Sequence, residues 1–392
     1  MSRTPGRNFF FHPGPTNIPD RVLAAMQRPT TDFMGAEFRA LQGRCHDRLK
    51  GIFRTSQNLV VHVANGHGAW ESAMVNTCAP GDLVLVPESG FFSVHWAKMC
   101  EALGLVVETV PCDWRQGMDI EKLADHLAAD RESRIKAVCA VHNETSTGTM
   151  NDVAAVRAAL DTAGHDALLM VDTISSLGSI DFRMDDWRVD VAVGGSQKGL
   201  MLPVGLSFTG VSEKALAARG NGHLPHQYWS WREYLPTEGH FIFPGTAPTQ
   251  IFEAMDVALD LIENEGFDQV LARHQRLAGA TRAAVTAWQT EGGLQFFAQR
   301  PPRRSDSVTA ILMPEGHDAE AFRQACAEEC NVSLGGGLGA LHGRLFRIGH
   351  MGDLNEAMLL GALGVIEMQL ARHDVPHNAG GIAAAVDYLT QH

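Results

Sequence analysis

Six short apolar runs, most of them followed by a turn and a helix-like stretch, constrain this chain more than any other feature. LVVHVA (59–64) reads as a strand, NGHG as a turn, and WESAMVNTCA (70–79) as a helix. The turn PGD leads into the strand LVLVP, and a helix-like stretch from Ser93 to Leu103 precedes LVVETV. A helix near 119–130 leads to KAVCAVH (136–142). A helix that starts at Asp152 comes next, then ALLMVD and VDVAVGG. Continuous apolar strands alternating with helices predict an α/β fold with a mostly parallel sheet covered on both faces. Near Phe243 the pattern changes. Long helices over about 251–264 and 267–290 lead into TAILMP, a helix at 318–329, FRIG and two final helices. This predicts a smaller α+β domain. The expected division is an N-terminal arm over 1–20, a large domain over 21–265 and a small domain over 266–392.

Charge narrows the partners. The formal net charge is −13. Nucleic acids and anionic membranes select clustered Lys and Arg, so neither is expected. Anionic small molecules stay open, because a local site captures them. Seven scattered cysteines form no CxxC pair, and several sit in apolar runs. They read as reduced, buried thiols, which places the chain in the cytoplasm. The Pro-rich start MSRTPGRNFFFHPGP does not read as a signal peptide. No apolar run approaches the roughly 20 residues of a spanning helix.

The strand ends carry the chemistry. ALLMVD ends at Asp172, and Lys198 follows the next strand in GGSQKGL. Open α/β sheets bind ligands at the carboxyl ends of neighbouring strands. A lysine there is a solvated charge, a phosphate contact or an amine for a carbonyl cofactor; its position alone does not choose. A strand-end Asp is often only a turn cap. Together, an amine and a carboxylate suit pyridoxal phosphate (PLP): the lysine forms a Schiff base, and the carboxylate keeps the pyridine nitrogen protonated. The turn NGHG, Asn65 to Gly68, opens a helix whose N-terminus suits a phosphate. It is neither a dinucleotide fingerprint nor a Walker loop. Phe92, after the second strand, suits stacking on a ring, although a core role fits it better when it is judged alone.

These residues lie in motifs that run along the chain: PGPTNIP (13–19), NGHGAWESAMVNTCAPGD (65–82), HNETSTG (142–148), VDTISSLGSIDFRMDDW (171–187), GGSQKG (194–199) and FRIGHMG (346–352). In this order the chain resembles the class V, fold-type I PLP-dependent aminotransferases, within them the serine-, alanine- and aspartate–glyoxylate group. The resemblance implies a large PLP-binding domain with a seven-stranded-type sheet. It also implies a homodimer with shared active sites, and ping-pong transfer of an amino group from a small amino acid to glyoxylate. Lys198 would be the Schiff-base lysine and proton carrier, and Asp172 the partner of the pyridine nitrogen. Asn65, Gly66 and His67 would line the phosphate and ring, Phe92 would stack, Thr145 would bond the ring hydroxyl side, and Gln197 would touch the phosphate. Thr246 would reach the phosphate from the partner subunit. Arg347 would clamp the substrate carboxylate, and the backbone near Gly14 would line the substrate side.

Some positions depart from the pattern. The family usually has Ser or Thr where Asn65 stands, an aromatic hydroxyl at Phe243, and often Trp or Tyr at Phe92. The stretch FPGTAP (243–248) is therefore an altered phosphate-side loop, and these changes bear on substrate choice. Among relatives, a ureidoglycine–glyoxylate aminotransferase is an alternative. A cysteine desulfurase is another, but it usually has His directly before the lysine, where Gln197 stands here, and it needs a mobile thiol; Cys326 and Cys330 instead have helical spacing. A non-catalytic binding protein would not need the full Lys, Asp and Arg set. GGGLG (335–339) reads as a flexible loop. HQYWSWREY (226–234) reads as a lid, a dimer contact or plain surface packing. His223 and His226 lack a partner at metal-ligand spacing, so no metal is expected.

Overall fold

A computed structural model describes residues 5–218, 224–236 and 243–392. The chain begins with a short strand, β1 (Phe9–Phe11), and helices α1 (Asp20–Ala25) and α2 (Ala36–Phe53). It then alternates β2 (Asn58–Ala64), α3 (Gly66–Thr77), β3 (Leu83–Glu88), α4 (Phe91–Ala102), β4 (Val106–Pro111), α5 (Ile120–Ala129) and β5 (Ile135–Val141). A small hairpin, β6 (Asn143–Glu144) and β7 (Thr149–Met150), precedes α6 (Val153–Thr162), β8 (Leu168–Asp172), β9 (Val191–Gly195) and β10 (Gly205–Val211).

Seven of these strands form one sheet in the order β2-β10-β9-β8-β5-β3-β4. All are parallel except β10, which runs against both its neighbours. The six apolar runs supply six of the strands. The seventh, GLSFTGV, is missed by an apolar pattern because Gly, Ser and Thr dilute it. The pleat divides residues between two cores, as alternation requires. Leu83 and Leu85 enter a core with α2, α5 and α6, whereas Val84 and Val86 enter the opposite core with α3 and α4. Helix starts follow local chemistry. Asp152 caps α6 by accepting from the Ala155 amide at 3.0 Å.

Helix α7 (Glu213–Ala217) is short. Helix α8 (Thr249–Glu265) packs into the first core, and Gly266, with φ +90°, turns the chain into α9 (Phe267–Trp288). The second sheet uses β11 (Gln295–Phe296), β12 (Val308–Leu312), β13 (Val332–Gly336) and β14 (Leu345–Gly349). Helices α10 (Ala319–Cys330), α11 (Glu356–Arg372) and α12 (Gly381–Gln391) complete the chain. This sheet runs β1-β13-β14-β12-β11, so the N-terminal FFF segment is its edge strand, with Phe9 paired to Val332. Phe11 is fully buried in the second core.

Two segments differ from their sequence reading. GGGLG is not simply a flexible loop: Gly335 and Gly336 are part of β13 and pair with Arg347 and Phe346. A Cβ on Gly335 would lie 2.7 Å from the Pro13 ring. These glycines serve close approach rather than mobility. HQYWSWREY packs on α3. Trp231 is buried, its indole donates to Ser72 Oγ at 2.9 Å, and its amide donates to Asn76 Oδ1 at 3.1 Å. His223 lies outside the described residues. Among the described residues no cluster of side chains could hold a metal, and no helix is long and apolar enough to cross a membrane.

Candidate active site

The carboxyl ends of β8 and β9 and the N-terminal ends of α3 and α4 surround a cavity of about 220 Å³. Gly14, Asn65, Gly66, His67, Phe92, Thr145, Asp172, Gln197 and Lys198 all line it. Segments far apart in the chain thus meet because parallel strands present their tips on one side of the sheet.

Lys198 is nearly buried, and its Nζ donates to the Pro13 carbonyl at 2.5 Å. Thr16 Oγ1 donates to the Lys198 carbonyl at 3.0 Å, so the chain before α1 grips this lysine at both ends. Gly14 lies against the amine: any Cβ there would collide with Nζ, and its φ of +110° also requires glycine. Burial first, then the Arg347 charge, pull the amine down to about 8, against the pull of Asp172.

Asp172 closes β8 and is 4% exposed. Its Oδ1 accepts from the Ile174 amide at 2.7 Å, and its Oδ2 from the Trp70 indole at 3.0 Å. Burial pushes this carboxyl up to about 7; the Ile174 bond opposes that rise, while the Glu144 charge adds to it. A cation placed over the carboxylate would hold it ionised.

Asn65 is the N-cap of α3. Its side chain accepts from the amides of His67 at 3.1 Å and Gly68 at 3.4 Å. An oxyanion at this helix end meets amides that Asn65 already caps, and must share them. Burial first, then the charge of nearby His95, lower the His67 imidazole below its ordinary value. Gly66 permits a close approach, since a Cβ there would strike Ile174.

Polar satisfaction is incomplete at the floor of the cavity. Gln197 Oε1 and Asn143 Oδ1 are buried with no hydrogen-bond partner. Buried acceptors of this kind call for a donor. Thr145 Oγ1 and Asn143 Nδ2 both donate to Ser175 Oγ at 2.7 Å. Phe92 forms an apolar wall, half-buried and edge-on to Trp70. A flat ring with an N–H finds acceptors and an apolar wall here, and an anionic arm finds the N-terminal end of α3.

Two predicted residues do not line the cavity. Arg347, in the middle of β14, is 6% exposed and sits just behind it. Its Nη1 donates to the Thr145 carbonyl at 2.9 Å and its Nε to the Gly336 carbonyl at 2.8 Å. Burial pulls the guanidinium down to about 10, with Glu144 opposing. Among the described residues no carboxylate forms an ion pair with it. A buried cation without a paired carboxylate is a costly arrangement, which an incoming anion would offset. Thr246 is exposed beside a surface groove with Phe243 and Tyr228, away from the cavity of its own chain.

Sequence reasoning missed Trp70, Asn143, Glu144 and Ser175. The signal for three of them was a run of polar residues directly after an apolar strand. No cysteine lines the cavity. Cys326 is fully buried in the second core, where burial pushes its thiol up to about 12.

The aminotransferase class-V family profile matches residues 8–345. The chain is 46% identical over 385 residues to serine–glyoxylate aminotransferase of Hyphomicrobium methylovorum, covering 97% of this chain and 94% of that protein. It is 42% identical over 387 residues to L-aspartate–glyoxylate aminotransferase of Paracoccus denitrificans, covering 98% and 97%. The crystal structure of pyridoxamine–pyruvate aminotransferase from Mesorhizobium loti superposes over the whole of both chains, with a TM-score of 0.90 and 30% identity. With the parallel sheet and the cavity at its strand ends, these matches lead to one conclusion: the chain belongs to the class-V aminotransferases.

Proposed function

We propose that this enzyme moves the amino group of a small L-amino acid, serine, aspartate or alanine, to glyoxylate, with PLP held covalently on Lys198. One observation carries the reading. A buried carboxylate at the end of one strand and a buried amine just past the end of its neighbour line one cavity, and behind it stands a buried guanidinium that forms no ion pair with a carboxylate among the described residues. The names of the relatives support glyoxylate as the acceptor.

Bound there, PLP supplies an electron sink for breaking the substrate Cα–H bond. The protein does the rest. Asp172 would keep the ring nitrogen protonated, and its two donors fix its carboxylate plane. Phe92 would give the ring an apolar wall. Gln197, through its amide nitrogen, His67 and the capped turn at Asn65 and Gly66 would hold the phosphate, and Thr145 would serve the ring hydroxyl. Lys198 Nζ would hold the cofactor and, once free, would carry the α-proton. The Pro13 carbonyl keeps that freed amine inside the cavity. Arg347 takes the substrate carboxylate in a planar two-pronged contact, with the Gly14 backbone on the same side. Both acids use one site in turn, so the donor leaves as a 2-oxo acid before glyoxylate enters. The exposed Thr246 supports a homodimer in which Thr246 of the partner subunit reaches the phosphate. Seven free thiols, five of them buried, support a reducing cytoplasm.

Rapid mixing tests the acceptor. The amino-loaded enzyme is mixed with glyoxylate, pyruvate, oxaloacetate or 2-oxoglutarate, and return of the cofactor spectrum is timed. Glyoxylate should be fastest. If 2-oxoglutarate wins, the glyoxylate assignment is wrong and the aminotransferase stands.

Arg347→Ala should weaken both half-reactions together, by roughly 2–5 kcal/mol in kcat/KM, the scale for one member of a buried charge pair. Arg347→Lys keeps the charge but loses the fork, so it should fall between wild type and Ala. Loss confined to one half-reaction would mean that the two acids do not share this anchor.

A further inference from the structure

The N-cap of helix α4 is Gly90, which has no side chain with which to cap it. Its first amides are satisfied from a segment more than fifty residues further along. The Phe91 amide donates to Ser146 Oγ at 3.1 Å. The amides of Phe92 and Ser93 donate to Glu144 Oε2 at 3.2 and 3.3 Å. Ser146 closes the unit: its hydroxyl and amide donate to Glu144 Oε1 at 2.6 and 3.1 Å. Glu144 is fully buried, and Gly90 is glycine because a Cβ would collide with the Glu144 side chain. A carboxylate only accepts, and amide donors converge on both of its oxygens, at the positive end of a helix.

The residue between the two capping side chains is Thr145. Its hydroxyl faces the cavity network through Ser175, and its carbonyl holds Arg347 Nη1 at 2.9 Å. One three-residue turn therefore grips the Phe92 wall by its backbone and the Arg347 anchor by a carbonyl.

We propose that Glu144 is a positioning residue, which locks the Phe92 wall to the Arg347 anchor so that ring and substrate carboxylate keep a fixed relation. The consequence for substrates rests on the reading of Arg347 given above; the mechanical link between α4 and the turn does not. Glu144 contacts neither acid. It sets where two other groups stand.

Glu144→Gln keeps the shape but turns an amide NH₂ toward N–H or O–H donors on one side. In the full chain, hydrogen exchange of the Phe92 and Ser93 amides should speed up at least about tenfold in this variant. KM for the amino donor and for the 2-oxo acid should rise together by about tenfold, while kcat changes less than about threefold, since uniform binding is what loosens. The circular dichroism band of bound cofactor should also shrink. Ser146→Ala leaves the carboxylate and should move all readouts in the same direction by less. If Glu144→Gln does not fold, Ser146→Ala decides alone. Wild-type exchange rates, or faster exchange with both KM values unchanged, would overturn the proposal. If the wild type transfers no amino group at all, the functional reading fails instead, and the exchange rates still decide the link.

Discussion

In the Lys198→Ala protein, amino-group transfer should fall by at least about 10⁴-fold, the upper range for a lost general base. On the proposed function, two roles would end with one side chain: the covalent hold on the cofactor and the shuttle for the α-proton. The cavity should still bind PLP weakly, because Asp172, Gln197 and the α3 turn are untouched. Borohydride reduction of the wild type should fix the cofactor on Lys198, and peptide mapping checks it. A cofactor found on any other lysine ends the assignment. The lowered amine adds a pH test on the cofactor-free chain. Below about 8 the amine is protonated and unreactive; above it the amine is free. Its labelling by an amine reagent should therefore rise through a midpoint near 8, well below that of an ordinary lysine. In Asp172→Asn the midpoint should fall further, because that carboxylate is the neighbour that favours the ammonium.

Asp172→Asn should cost several orders of magnitude in turnover while PLP remains bound. The neutral amide no longer favours a protonated ring nitrogen, so the electron sink weakens. The structure adds a second cost. Both carboxylate oxygens of Asp172 accept, one from Trp70 and one from Ile174. An asparagine accepts on one side only, and its NH₂ must then face another donor. That lost bond is worth about 1–3 kcal/mol and should appear as reduced thermal stability. Trp70→Phe separates the two effects. It removes the indole donor and keeps the charge, so it should share the stability loss but keep far more of the turnover. Near-normal turnover in Asp172→Asn would remove the residue from the chemistry.

Much of this enzyme was legible in its sequence, for a definite reason. A strand buried on both faces must be apolar throughout, so six of the seven strands of the large sheet announce themselves. A residue at or just past the carboxyl end of such a strand lies where open α/β sheets bind ligands, so Asp172 and Lys198 are expected together. Caps are equally local, and Asp152 could be read from its position alone. The motifs along the chain point to Arg347 and the α3 turn only through the family resemblance.

Other features have no local imprint. β10 passes as a loop because Ser207 and Thr209 are polar, yet pairing with β2 and β9 on either side makes it a strand. Gly335 to Gly337 look like a flexible connector, but neighbours brought by folding, the Pro13 ring among them, leave no room for a Cβ. The Trp70 bond to Asp172, the Pro13 carbonyl on the Lys198 amine and the Glu144 cap on α4 join segments separated by dozens to nearly two hundred residues. Periodicity reports which face of an element is buried. It does not report what the burial brings into contact. The sequence alone therefore determined six strands of the sheet and the charged residues at the carboxyl ends of two of them. Only the tertiary structure decided that the Lys198 amine is held by the N-terminal segment, that Arg347 forms no ion pair with a carboxylate among the described residues, and that one turn touches both the start of α4 and Arg347.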